Sequence, residues 1–140
     1  MEGKQSPFKL SGFLVEESHI VRKPNTKQAK IKIEILPSGI IDESSKAFQI
    51  NLNVNVTDDN SSFNASIIAV GIFNFKKVTK QEDLTNYFYV NAPAIMYPYI
   101  RSYIAGLTAL SGMEAINLPL MALGNLGTRL KENTQNVSKE

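Results

Sequence analysis

Asn91-Ala92-Pro93-Ala94-Ile95-Met96-Tyr97-Pro98-Tyr99-Ile100-Arg101 opens the stretch, running to Leu126, around which the rest of the chain is organised. Its apolar residues Ile95, Met96, Tyr99, Ile100, Tyr103, Ile104, Leu107 and Leu110 recur three and four apart, the spacing of a helical stripe. Asn91 suits the N-cap, and Pro93 suits a first turn whose amide would have no partner. Gly112 can take the left-handed conformation that ends such a helix. Pro98 removes a donor from the helix interior and predicts a kink there. Ala92, Ala94, Tyr97, Ala105 and Ala109 extend small or apolar character around most of the circumference. A helix of that kind must be buried on more than one side, and in so short a chain a second subunit is the expected second wall.

Downstream, Asn117-Leu118-Pro119-Leu120 breaks the helical pattern, because Pro119 holds Leu118 extended. From Met121 to Lys131 a thinner stripe of Leu123, Leu126 and Leu130, weakened by Gly124 and Gly127, predicts a short second helix. Upstream the period changes from 3.6 to 2. Phe8, Leu10, Gly12 and Leu14 stand on one alternation and Phe13 and Val15 on the other, within a long strand bent at Gly12. Ala29, Ile31, Ile33 and Ile35 alternate with Lys30, Lys32 and Glu34 as a second strand, and Pro37-Ser38-Gly39 reads as a turn opening a longer connection to Lys46. Phe48, Ile50, Leu52, Val54 and Val56 alternate with Gln49, Asn51, Asn53 and Asn55 in a third strand, closed by the turn Asp58-Asp59-Asn60-Ser61. The fourth, Ser62 to Phe75, is apolar on both faces, so it calls for cover on both. Strands followed by helices predict an α+β fold: a four-stranded antiparallel meander, then a long helix and a short second helix.

The 140 residues make one domain, expected over 8–130, with mobile polar tails at 1–7 and 131–140. With 43% hydrophobic and 20% charged residues the composition is that of a soluble globular protein. There is no cysteine, which excludes disulfides and thiolate metal sites. No apolar signal core and no run of 18 apolar residues occurs, so a cytoplasmic protein without membrane insertion is expected. The net charge of +2 is small, and its densest run, Arg22, Lys23, Lys27, Lys30 and Lys32, reads as a solvated strand end and loop; nucleic acid is not an expected partner.

Catalytic apparatus is missing. His19 is the single histidine, so no His-pair metal site can form. Asp42/Glu43 and Asp58/Asp59 are adjacent pairs in connections and read as solvated turn residues. Gly106, Gly112, Gly124 and Gly127 lack the strand-then-loop context of a phosphate cradle. The aromatics Tyr87, Phe88, Tyr89, Tyr97, Tyr99 and Tyr103 have no basic stripe among them and read as core or protein-contact residues. Neither cofactor nor metal is expected. Abundant apolar surface without catalytic groups suits a protein that binds other proteins.

The run Asn91–Arg101, with Gly112 and Asn117-Leu118-Pro119 after it and Gly71-Ile72-Phe73 before it, resembles the signature of the SecB family of export chaperones. The resemblance covers roughly Phe8 to Leu126. It implies a non-enzymatic, ATP-independent holdase for unfolded precursor proteins, built as a homotetramer: sheets join into dimers, and dimers pair through their long helices. By position it implies a client groove drawing on Ile31, Ile33, Ile35, Ile40, Ile41, Leu120, Leu123 and Leu126. It places Ile100, Tyr103, Ile104, Leu107, Ile67 and Ala69 at the oligomer interface. Well-known export members are strongly acidic and dock the SecA motor on an acidic sheet face. This chain is basic, and Asn64-Ala65-Ser66 stands where such members carry an acidic residue. The alternatives are therefore a SecB-like chaperone dedicated to one partner, such as the antitoxin of a toxin–antitoxin pair, or a non-chaperone adaptor.

Overall fold

Period-2 patterning in the first half of the chain produces four long antiparallel strands: β1 (Phe8–Arg22), β2 (Ile31–Asp42), β3 (Ala47–Asp58) and β4 (Phe63–Phe75). The structure, a computed structural model, describes residues 8–76, 85–119 and 124–137. The strand order is β1-β4-β3-β2, with a short fifth strand beyond β2. Only β2–β4 form the expected meander. β1 lies against β4 instead of β2, which makes the arrangement a Greek key. The physical reason is in β4: apolar on both faces, it is the strand that gains most from a neighbour on each side.

β1 does not keep one alternation along its length. Register shifts at Leu10/Gly12 and Val15/Glu17 mark bulges, each adding one residue and exchanging the faces beyond it. Leu10, Phe13, Val15 and Ile20 therefore share the inner face, while Gly12 and Leu14 pass to the outer one, splitting the set that the sequence pattern grouped together. β2 also differs from expectation. Pro37-Ser38-Gly39 is not a turn: the strand runs through it, pairing with β3 from Ile31↔Asp58 to Asp42↔Ala47. Proline is tolerated because even-numbered residues of β2 bond to β3, leaving the nitrogen of Pro37 on the outward edge.

The helices lie on the inner face. A wide turn at Thr85–Asn91 leads straight into α1 (Ala92–Leu110). Asn91 is thus already helical and makes no capping bond, contrary to the N-cap expectation. α1 runs through Pro98, and the Ala94 carbonyl that loses its partner there belongs to an exposed residue where water can serve it. Gly112, at φ +96°, ends the helix as anticipated. Two side chains then direct the chain back. Buried Thr108 accepts the amide of Ile116 at 2.9 Å, and the Tyr97 hydroxyl donates to the Pro119 carbonyl at 2.5 Å. Burial raises the Tyr97 pKa, so the phenol stays a donor at neutral pH.

α2 (Gly124–Glu132) packs over β2, and β5 (Thr134–Asn136) pairs parallel with Gly39–Ile41. The polar tail expected from residue 131 therefore gives way to structure as far as 137. Its side chains are polar, but backbone pairing with an edge strand needs no apolar residue.

The core is the single inner face of the sheet. Phe48, Ile50, Leu52, Val54, Ile67 and Phe73 line it under Met96, Ile100 and Ile104 of α1. Phe8 stacks on Phe73 at 4.8 Å and Phe48 on Phe88 at 4.5 Å. Two glycines permit the closest approaches. A Cβ at Gly71 would lie 2.6 Å from the Met96 sulfur, and one at Gly127 would lie 2.6 Å from the Tyr89 carbonyl oxygen.

Asp58 was expected to be a solvated turn residue; it is fully buried instead. Its carboxylate accepts the amides of Ala29 at 2.8 Å and Ser62 at 2.7 Å, and the Ser62 hydroxyl at 2.5 Å. It thereby ties the β1–β2 connection to the β3–β4 hairpin. Burial alone would raise its pKa, but these bonds outweigh it and hold the carboxyl below the ordinary 3.8.

Two stability predictions follow from these contacts. Gly127→Ala should cost about 2 kcal/mol, since backbone blocks it. Gly71→Ala should cost less because the Met96 thioether can swing; chemical denaturation of both variants checks the order. A depressed folded-state pKa stabilises at pH values above the unfolded value and is lost as pH falls through the folded one. Asp58→Asn should therefore lower the melting temperature at neutral pH, and the gap from wild type should close as the pH drops below about 4.

Candidate functional site

Nothing among the described residues assembles into a catalytic or metal centre. No group of three or more His, Asp and Glu side chains converges. His19 is exposed on β1 with Glu17 beside it, at 3.4 Å. Asp42 serves its own turn, accepting the Ser44 hydroxyl at 2.6 Å, which lowers its pKa. Asp58 is committed to its structural bonds. What the surface offers is apolar side chains and unpaired strand backbone.

The two come together on β2. Its amides and carbonyls alternate in direction. The even residues face β3, while the Gly39 amide donates to the Asn133 carbonyl at 3.1 Å and the Ile41 carbonyl accepts the Val137 amide at 2.9 Å. By the same alternation the backbone groups of Ile31, Ile33 and Ile35 point away from the sheet. β5 pairs only with Gly39–Ile41, so from Ile31 to Ser38 this strand forms the margin of the sheet among the described residues. Pro37, with no N–H, separates the covered part from the open part.

Beside the open margin, Ile31 and Ile33 lie half-exposed on the inner face, next to buried Ile35. Leu126 and Leu130 of α2 are buried against this side of the sheet. The arrangement is a strip of outward backbone donors and acceptors, flanked by aliphatic side chains, with α2 closing one end. Such a strip can take an extended peptide as an added strand: main-chain bonds supply affinity without sequence preference, and alternate side chains meet the isoleucines.

Of the groove residues expected from sequence, Ile31 and Ile33 form the accessible strip, while Ile35, Ile41 and Leu126 are buried behind it. Ile40, 40% exposed, falls on the opposite face, because neighbouring strand residues alternate. Leu120 and Leu123 lie outside the described residues. The residues expected at an oligomer interface need correction. Ile100 and Ile104 have no exposed surface, and Ile67 and Ala69 are equally buried, because this side of α1 seats on the chain's own sheet. Tyr103 and Leu107 are half-buried. The helix side left outward carries Ile95 and Leu110, the latter 91% exposed, with small Ser102 and Gly106 between them, while Tyr99 at its edge stacks on Phe13 of β1 at 5.1 Å.

The sequence pattern also missed a shallow cleft of about 200 Å³ on the outer face, where Leu36 and Ile68 sit among Glu17, His19 and Glu34. Those residues share a face because the second bulge in β1 cancels the first and leaves Glu17 and His19 on the outer side. Their alternation with Glu34 could not be placed without the β1–β4 pairing.

Comparison with known proteins agrees with this architecture. Residues 14–126 match the family model of SecB, described as preprotein translocase subunit SecB. Among solved structures the chain is similar to a SecB-like chaperone of Mycobacterium tuberculosis, solved in complex with a ChAD peptide from the HigA1 antitoxin. The TM-score is 0.69 at 17% identity, covering 83% of this chain and 88% of the other. A protein of unknown function from Streptococcus agalactiae aligns with a TM-score of 0.50 at 12% identity, over 81% of this chain and 97% of that one. None of the curated proteins matches the chain. No helix among the described residues is long and apolar enough to cross a membrane. With 113 consecutive positions (14–126) under the family model and the matching strand-then-helix architecture, the chain belongs to the SecB family, a family of non-enzymatic chaperones.

Proposed function

We propose that this protein is an ATP-independent cytoplasmic holdase that binds unfolded or precursor polypeptides as extended strands along the open margin of β2. The observation that carries the reading is the coincidence of outward backbone groups at Ile31, Ile33 and Ile35 with half-exposed isoleucine side chains on the same strand. Burial of each client side chain contributes about 25 cal/mol per Å² of apolar area, so many weak contacts add up without demanding a sequence. Nothing in the strip calls for nucleotide or metal.

Two client relationships fit it. General export would pass clients to SecA, whose docking in the export branch uses an acidic sheet face. Here Asn64 and Ser66 stand on the outer face of β4, and the chain carries 15 basic against 13 acidic residues. A dedicated partner such as an antitoxin is favoured by the likeness to the mycobacterial chaperone solved with an antitoxin peptide.

For assembly, the outward helix strip of Ile95 and Leu110 supports a homotetramer of paired dimers, with Ser102 and Gly106 allowing a second helix to come close. This replaces Ile100 and Ile104 as the contacting residues.

The binding test is Ile33→Pro. Its N–H points outward, so no rung to β3 is lost, just as none is lost at Pro37. Circular dichroism should be unchanged while affinity for reduced, carboxymethylated α-lactalbumin falls about tenfold, the loss of one strand bond and one apolar contact. Binding by the wild type should persist in high salt, since apolar burial is not screened. Unaltered affinity in the variant would remove the β2 margin from the mechanism.

The assembly test is Ile95→Asp with Leu110→Asp. Light scattering should show the wild type as a tetramer and the variant as a folded smaller species. An assembly of unchanged mass would mean that this strip is not the contact.

A further inference from the structure

The margin of β2 has a second part, and the chain itself occupies it. β5 lies parallel to Gly39–Ile41 and is attached almost wholly through backbone and polar contacts. The Gly39 amide bonds Asn133, the Val137 amide bonds Ile41, and the Asn136 carboxamide donates to Glu43 at 3.2 Å. Gln135, Asn136 and Val137 are exposed, and Thr134 is only half-buried. β3, by contrast, sends Phe48, Ile50 and Leu52 into the core. A three-residue strand without buried apolar side chains belongs to the least stable class of elements and opens locally without unfolding the rest.

Resting on the client-binding reading above, we infer that Gly39–Ile41 is a second strand-binding site, held closed by the chain's own C-terminal strand, which an incoming extended polypeptide displaces. The ligand class follows from what β5 shows this edge to accept: a strand parallel to β2 with a small residue opposite Gly39. The Thr134 hydroxyl fills the space that Gly39 leaves: a Cβ on Gly39 would stand 2.9 Å from it, 3.1 Å from Phe48 and 3.3 Å from Leu130. Clients held first at Ile31–Ile35 would extend past Pro37 into this site, lengthening the bound strand. Because β5 must leave first, it lowers apparent affinity by the fraction of time the site is closed.

The test uses the absence of cysteine from the chain. Ile40 and Gln135 are register partners on the two strands, so Ile40→Cys with Gln135→Cys allows β5 to be locked by oxidation and released by reduction. The probe is reduced, carboxymethylated α-lactalbumin. The oxidised form should bind at least about fivefold more weakly than the same protein reduced, and a chain ending at Glu132, which frees the Gly39 amide as well, should bind more tightly than wild type. Hydrogen exchange on the wild type gives a separate signature. Adding the probe should expose the Val137 amide, which loses Ile41, while the Gly39 amide stays protected by its new partner. Equal affinity of oxidised and reduced forms, or an unchanged Val137 amide in a wild type that binds the probe, overturns this inference and leaves the client-binding reading intact. Failure of the wild type to bind the probe at all overturns both. A truncated chain that binds less tightly, or that exchanges C-terminal strands between copies in place of binding the probe, also counts against it.

Discussion

The seating of α1 on β4 is the contact on which the rest of the molecule depends. The sheet has one largely apolar face, and among the described residues one long helix covers it. Met96 enters the notch left by Gly71, and Ile100 and Ile104 follow one and two turns later, so helix and strand approach as closely as backbone allows. Once the helix is so placed, Tyr97 and Thr108 carry the bonds that bring the Ile116–Pro119 segment back across the sheet. The approach of α2 is equally close, with Gly127 against the backbone at Tyr89. Interiors packed this tightly do not deform gradually, which makes the core a rigid platform for whatever its margins do.

Against that platform the margin of β2 is the element left unsettled. Strand edges are hazards, because unpaired amides and carbonyls recruit other strands; natural sheets blunt them with proline, charge or cover. All three devices appear here: Pro37 in the strand, Lys32 and Glu34 on its outer side, and β5 over its end. Between them remain Ile31 to Ile35, where pairing is still possible. An edge protected everywhere could not bind a client, and one protected nowhere would aggregate. On the proposed reading, a partly guarded edge reconciles the two demands, and capture by strand pairing would need no energy source.

The outer face tells a different story. Its cleft mixes Leu36 and Ile68 with Glu17 and Glu34, and β3 contributes a column of Gln49, Asn51, Asn53 and Asn55. Glu17 and Glu34 stand there with Lys32, so the face carries charges of both signs.

Much of this was legible in the residues. Period-2 alternation located β3 and the first half of β2, period-3.6 spacing located α1, Gly112 marked its end, and the Asn91–Arg101 run with Gly71-Ile72-Phe73 and Asn117-Leu118-Pro119 pointed to the SecB family. Those features are local: they depend on which side chains stand within a few positions of one another, and a sequence states that outright. Tertiary structure alone decided the rest. It set β1 beside β4 and, through two bulges that show only in register, moved Gly12 and Leu14 to the outer face. It carried β2 through Pro37, because a proline is compatible with a strand only where its nitrogen meets no neighbour. It buried Asp58, whose partners Ala29 and Ser62 come from different loops. It turned Ile100 and Ile104 inward and Ile95 and Leu110 outward, because a helix apolar on most sides does not reveal which side faces its own sheet. And it placed β5, since a polar segment that pairs through backbone leaves no mark in its side chains.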